Sequence, residues 1–207
     1  MKILCLSDKL VPFIYGPQAR QRFQGVDLII GCGDLHYYYL EYVLTTLNVP
    51  LFYVRGNHDV VVEYSPEGHQ RTHPHGGADL HRHVLRWNDL ILAGVEGCLR
   101  YRSGQFQYTQ KQMWRYALGL APRLMANRLV YGRYLDVLVT HAPPLGVHDQ
   151  TDAPHRGINA FAWLARTFKP SLYIHGHIHR YRPDDPVETR LGDTRVVNAF
   201  GFQEIDL

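Results

Sequence analysis

The chain has 207 residues, 45% hydrophobic and 20% charged, which suits one globular core and excludes a disordered or fibrous chain. Its formal net charge is +3 with His neutral. That fits an anionic substrate, but the clustered basic stripes of a nucleic-acid binder are absent. Three Cys without a tight pairing motif argue against a disulfide framework and for a reducing compartment. The N-terminus enters a strand pattern at once, so no signal peptide is expected. No apolar run approaches the ~20 residues of a membrane span. The expectation is one cytoplasmic domain over residues 1–207.

Lys2 to Leu6 reads as a short apolar strand with Ser7-Asp8 at its end. Pro17 after Gly16 suits the first turn of a short helix through Phe23. Val26 to Ile30 is a second buried strand. It runs into Gly31-Cys32-Gly33-Asp34, a loop with little steric hindrance around one carboxylate. Tyr38 to Leu47 reads as a helix, and Leu51 to Val54 as a third strand. Gly56-Asn57-His58-Asp59 follows, where Gly56 lets the backbone turn sharply. Two strand–helix–strand units in succession imply parallel strands with helical crossovers.

Residues 60–86 break the pattern. Rich in Gly, Pro, His and Arg, they read as a loop insertion, functional or mobile. Val84 to Trp87 and Leu90 to Val95 suit a strand pair around Asn88-Asp89. Residues 97–108 carry no clear pattern. A helix is expected from the N-cap Thr109 to about Arg128, interrupted at Gly119 and Pro122. Asp136 to Thr140 is a strand ending at His141, and residues 145–156 form a second polar loop. Ile158 to Phe168 has helical spacing. Ser171 to Ile174 is a strand, followed by His175-Gly176-His177-Ile178-His179. Strand-like segments near Val187–Leu191, Arg195–Ala199 and Phe202–Ile205 close the chain, with a turn at Gly192-Asp193.

Five strand ends thus carry Asp8, Asp34, Asn57 with His58, His141, and His177 with His179. Mixed oxygen and nitrogen ligands suit Mn, Fe, Zn, Ni or Co better than Mg or Ca. Asp34 is the natural bridging ligand, since one carboxylate binds two cations through its two oxygens. Two ions ~3.5–4 Å apart polarise a phosphoryl oxygen, activate a water and hold an in-line geometry. His58 offers an imidazole that gives or takes a proton near neutral pH.

Taken in order, Asp8, Gly33-Asp34, Gly56-Asn57-His58-Asp59, His141 and Gly176-His177-Ile178-His179 resemble the calcineurin-like metallophosphoesterase superfamily. The resemblance runs from Asp8 to His179. It implies an α/β fold, a two-sheet β-sandwich flanked by helices. It implies two divalent transition-metal ions, with manganese preferred. One would sit on Asp8, Asp34 and His179, the other on Asp34, Asn57, His141 and His177. It further implies a hydrolase in which a metal-bridging hydroxide attacks phosphorus. His58 would bind a phosphoryl oxygen or protonate the leaving alkoxide, a contribution of roughly 10²–10⁴-fold. The partner is then a small phosphorylated substrate. The chain looks like the small bacterial members, which favours a phosphodiester.

This sequence departs from the family at one point. The family's first motif is Asp-x-His, and here it reads Asp8-Lys9-Leu10. Leu10 cannot bind a metal. An open water position is expected there, ahead of substitution by His36 or by a loop histidine. The alternative function is a weak or inactive binding scaffold on the same fold. Leu10 supports it, and intact Asn57, His58, His141 and His177 count against it.

Other residues have plainer readings. Asp59 suits a turn, His175 a packed core position, Cys5 and Cys32 buried filler, and Lys9 a solvated side chain. Tyr37-Tyr38-Tyr39 suits aromatic packing at a helix start, with base stacking as the sharper option. The stretch from His69 to His83 divides between a substrate lid, an extra metal site and a solvated loop. Arg71, Arg82 and His36 are the candidate substrate contacts.

Overall fold

The computed structural model describes residues 1–182 and 184–207. The chain begins with β1 (Lys2–Ser7), α1 (Ala19–Arg22), β2 (Leu28–Gly31), α2 (Tyr37–Leu47) and β3 (Leu51–Tyr53). Three short strands follow, β4 (Glu63–Tyr64), β5 (Gln70–Arg71) and β6 (Gly77–Asp79). Next come β7 (Val84–Trp87), β8 (Leu90–Val95), β9 (Cys98–Leu99), β10 (Gln107–Tyr108) and α3 (Gln110–Tyr131). The last part supplies β11 (Val137–Thr140), α4 (Asn159–Phe168), β12 (Leu172–His175), β13 (Glu188–Leu191), β14 (Thr194–Asn198) and β15 (Gly201–Asp206).

Two sheets carry the architecture. The first has the order β15-β1-β2-β3-β6, the second β13-β14-β12-β11-β8-β7. Their inner strands are parallel, while β15, β13 and β7 pair antiparallel at edges. The apolar runs explain this layering residue by residue. Ile3, Cys5, Leu28 and Ile30 point inward to Val137, Val139, Leu172 and Ile174 in a core between the sheets. Their neighbours Leu4, Leu6 and Ile29 point outward onto Phe23, which follows α1, and onto Tyr39, Leu40 and Val43 of α2. On the far face, Leu138 and Tyr173 meet Leu120, Leu124, Phe161 and Leu164 from α3 and α4. Strands buried on both faces need continuous apolar sequence, and these have it. The expected two-sheet sandwich flanked by helices is therefore the observed fold.

Two expectations are corrected. Residues 60–86, read as a loop insertion, hold regular structure: Gly77–Asp79 forms β6 and extends the first sheet parallel to β3. Gly-Ala-Asp gives no apolar signal because these residues are only half-buried at a sheet edge. The same stretch supplies the small antiparallel pair β4–β5. Helix α3 also runs unbroken through Gly119 and Pro122. Proline removes a backbone hydrogen bond to residue 118, but Leu118 is exposed, so water can satisfy that carbonyl. Burial of Met113, Ala117, Leu120 and Leu124 holds the helix on the sheet. The helix start is as expected, with Thr109 and Gln112 forming a reciprocal capping box. No helix among the described residues is long and apolar enough to cross a membrane.

Candidate metal centre

The C-terminal ends of β1, β2, β3, β11 and β12 lead into Asp8, Asp34, Asn57-His58, His141 and His177. Open α/β sheets gather ligands at such ends, and here two sheets contribute to one edge of the sandwich. Asp8, Asp34 and His177 all adopt left-handed backbone, with φ of 62°, 56° and 67°. Non-glycine residues pay roughly 1–3 kcal/mol for such conformations, which persist only where surrounding contacts enforce them. The contacts are present. Asp8 N–H donates to the Gly33 carbonyl (3.1 Å). His177 N–H donates to Asp8 Oδ2 (2.8 Å), and His58 N–H to Asp34 Oδ1 (2.7 Å). Gly176 is required by close approach, since a Cβ there would overlap Ser7 Oγ and come within 2.7 Å of Asp8 Oδ2.

Asp34, His141 and His177 each present a ligand atom, all within 4.8 Å of one another. Two backbone carbonyls set the imidazole tautomers, because a carbonyl can only accept. His141 Nδ1 donates to Cys32 O (2.7 Å), leaving Nε2 as the lone-pair atom of the neutral ring. His177 Nε2 donates to Pro154 O (2.8 Å), leaving Nδ1. His141 Nε2 lies 3.0 Å from Asn57 Oδ1 and 3.4 Å from Asp34 Oδ2. Three acceptor atoms thus converge, an arrangement that needs a proton or a cation between them. Burial opposes charge on His141, yet the Asp34 carboxylate raises its pKa to about 9. Burial pushes the Asp34 carboxyl up, and His141 overrides this to bring it down to about 2. His177 is lowered to about 4 by burial and by neighbouring His141.

Asp8 provides a second sign. Its Oδ1 is buried and has no hydrogen-bond partner among the described residues; the His179 Nε2 atom is 3.6 Å away. An unpaired buried carboxylate oxygen is costly, and a cation would satisfy it. His179 is half-exposed, held by Tyr181 Oη at 3.0 Å, and its pKa is raised by Asp8. The donor set, mixing carboxylate, amide and imidazole, fits a divalent transition metal.

A cavity of about 260 Å³ opens on this centre. Asp8, Asp34 and His58 line it together with Leu10, Leu35, Val60 and His36. The other substrate candidates lie elsewhere. Arg71 is paired with Glu41 (3.0 Å), and the Arg82 guanidinium lies over the Tyr116 ring; neither lines the cavity. Lys9 is exposed, and Cys5 and Cys32 are buried thiols whose pKa burial raises. His175 is buried and bonded to His148 Nδ1 (2.7 Å), with its pKa lowered to about 3 by burial.

Three supporting residues, Tyr101, Glu63 and His155, carry no signal in the sequence, whereas Asp59 fills the turn role expected of it. Tyr101, from the featureless 97–108 stretch, accepts from Asn57 Nδ2 (3.3 Å) and so turns Asn57 Oδ1 toward His141. Asp59 accepts three backbone N–H groups, from Gly56, Asp34 and Leu35, and ties the two ligand turns together. Burial and the Asp34 charge raise its pKa to about 7. Glu63 receives Tyr37 N–H and Tyr38 N–H at the start of α2. His155 lies against His177 with ring centroids 5.4 Å apart and pairs with Asp152.

The calcineurin-like phosphoesterase family model matches residues 7–181, and the chain belongs to that family. The family is metal-dependent and acts on phosphate esters. The chain is similar in fold to TT1561 of Thermus thermophilus, with TM-score 0.62 and 16% identity over 97% of this chain and 89% of that one. It is also similar to GAP50, the anchor in the inner membrane complex of Plasmodium, with TM-score 0.52 and 14% identity over 96% and 70%. Identities this low establish a common fold and nothing finer. Compared with curated protein sequences, the chain matches none.

Proposed function

We propose that the chain is a metal-dependent phosphoric ester hydrolase, acting on a small phosphodiester. The observation that carries this is the convergence of Asp34, Asn57, His141 and His177 on one point beside the orphaned Asp8 Oδ1. Asp34, Asn57, His141 and His177 would hold one ion. Asp8, Asp34 and His179 would hold a second, with Asp34 shared; manganese is the preferred metal. Bound there, such ions polarise phosphoryl oxygens and acidify water.

The remaining roles belong to this chain's own groups. Asp34 Oδ1 accepts the His58 amide, which keeps the His58 imidazole at the cavity beside the carboxylate. From that position His58 binds a phosphoryl oxygen or gives a proton to the leaving oxygen. Tyr101 holds the Asn57 amide, while the Cys32 and Pro154 carbonyls hold the two histidine tautomers. Among the described residues, the cavity lining includes neither Lys nor Arg. A monoester dianion would want such a cation, so a singly charged diester is the better match.

The test is hydrolysis of bis- and mono-p-nitrophenyl phosphate after chelation and add-back of Mn, Ni or Zn. Activity returns with metal, favouring the diester. His58→Ala lowers turnover by roughly 10²–10⁴-fold and leaves metal binding intact. Leu10 is the one observation favouring a non-catalytic scaffold, and absence of turnover with every metal would decide for it.

A further inference from the structure

The mouth of the cavity has a character that phosphate chemistry alone does not need. Leu10, at the family's histidine position, lines the cavity with Leu35 and Val60. Val60 is 43% exposed, and its carbonyl is fixed by the Tyr37 hydroxyl at 2.6 Å. The His36 imidazole stacks on the Tyr38 ring, with centroids 5.1 Å apart and planes 18° apart. Its Nδ1 lies 3.3 Å from Glu63 Oε2, yet 55% of the side chain remains exposed. A flat ring held by stacking and an apolar side chain on an anchored backbone thus stand at an exposed opening. Surfaces ordered in advance lower the entropic cost of binding.

We propose that Leu10, Val60 and His36 form a subsite for one uncharged aromatic ring on the leaving group of the substrate. This rests on the phosphoesterase reading above, since His58 lines the same cavity. Three properties define the ring. Leu10 and Val60 give one side of the cavity an apolar wall, and the carboxylates Asp59 and Glu63 in the same lining oppose an anionic ring. The outer face of the His36–Tyr38 stack selects a planar one. A volume near 260 Å³ lies just below the roughly 300–1,000 Å³ of sites for larger ligands, which limits the guest to a single ring beside the phosphoryl group. A lining without Lys or Arg among the described residues excludes a second phosphate on that side.

Calorimetric titration of the manganese-loaded chain with phenylphosphonate and methylphosphonate tests the subsite. Phenylphosphonate is expected to bind roughly tenfold tighter. His36→Ala and Val60→Ser each remove most of that advantage and leave methylphosphonate affinity unchanged. UMP against ribose 5-phosphate forms a second arm. A uracil advantage assigns a ring carried one sugar away, and a phenyl advantage alone assigns a ring directly beside the phosphoryl group. Equal affinities within both pairs overturn the subsite while the phosphoesterase reading stands. Failure of all four probes to bind overturns the subsite, and the phosphoesterase reading falls with it only if bis-p-nitrophenyl phosphate is not turned over with any metal.

Discussion

Asp34 and His141 form a buried pair whose charges depend on each other. His141 has its pKa raised from 6.5 to about 9, against burial, by the Asp34 carboxylate. An imidazole raised in the folded state contributes stability that is complete below about 6.5 and is lost as pH rises through about 9. Asp34, lowered from 3.8 to about 2 despite burial, contributes stability above 3.8 that is lost as pH falls through about 2. The metal-free chain is therefore expected to lose thermal stability between pH 6.5 and 9. Asp34→Asn should flatten that slope. Thermal unfolding of chelated protein across this range checks it, and a flat profile in the parent chain would contradict the pairing. Leu10 poses the complementary question, because it lines the cavity beside Asp8 and Asp34. Leu10→His adds a nitrogen donor near the unpartnered Asp8 Oδ1. The expected result is tighter manganese binding at one site in a calorimetric titration. Unchanged stoichiometry and affinity would remove Leu10 from that site.

Helix α3 separates local from tertiary control. Its start is local: Thr109 Oγ1 accepts from Gln112 N–H at 3.2 Å, and Gln112 Oε1 accepts from Thr109 N–H at 2.9 Å. Thr109→Ala should cost about 1 kcal/mol, read as a lower denaturation midpoint at unchanged slope; Thr109→Ser should restore it. The helix interior is not local. Gly119 and Pro122 weaken helix propensity, and the sequence alone points to a break there. The packed side of α3 overrides them, and Gly132, with φ of 73°, ends the helix instead. Strand β6 is the mirror case. Nothing in Gly77-Ala78-Asp79 announces a strand, and the exposed edge of β3 recruits it.

The whole molecule closes through its two ends. β15 pairs with β1 along Lys2–Ser7, and Ile205 joins the core between the sheets. Because β1 delivers Asp8, removal of residues 201–207 is expected to abolish cooperative unfolding and manganese binding together. Chemical denaturation and calorimetry on the shortened chain check this; retained metal affinity would detach the centre from the sandwich. The order of chemical groups along the chain, from Asp8 to His179, was already legible in the sequence, as were the doubly buried strands and the start of α3. Those features depend on residue type and short-range periodicity. Only the tertiary structure decided which carbonyl holds each imidazole, that Tyr101 orients Asn57, and that Arg71 and Arg82 lie away from the cavity while His36 lines its mouth. Each of these is a contact between residues far apart in sequence, and such partners are chosen when the sheets pack, which no local pattern encodes.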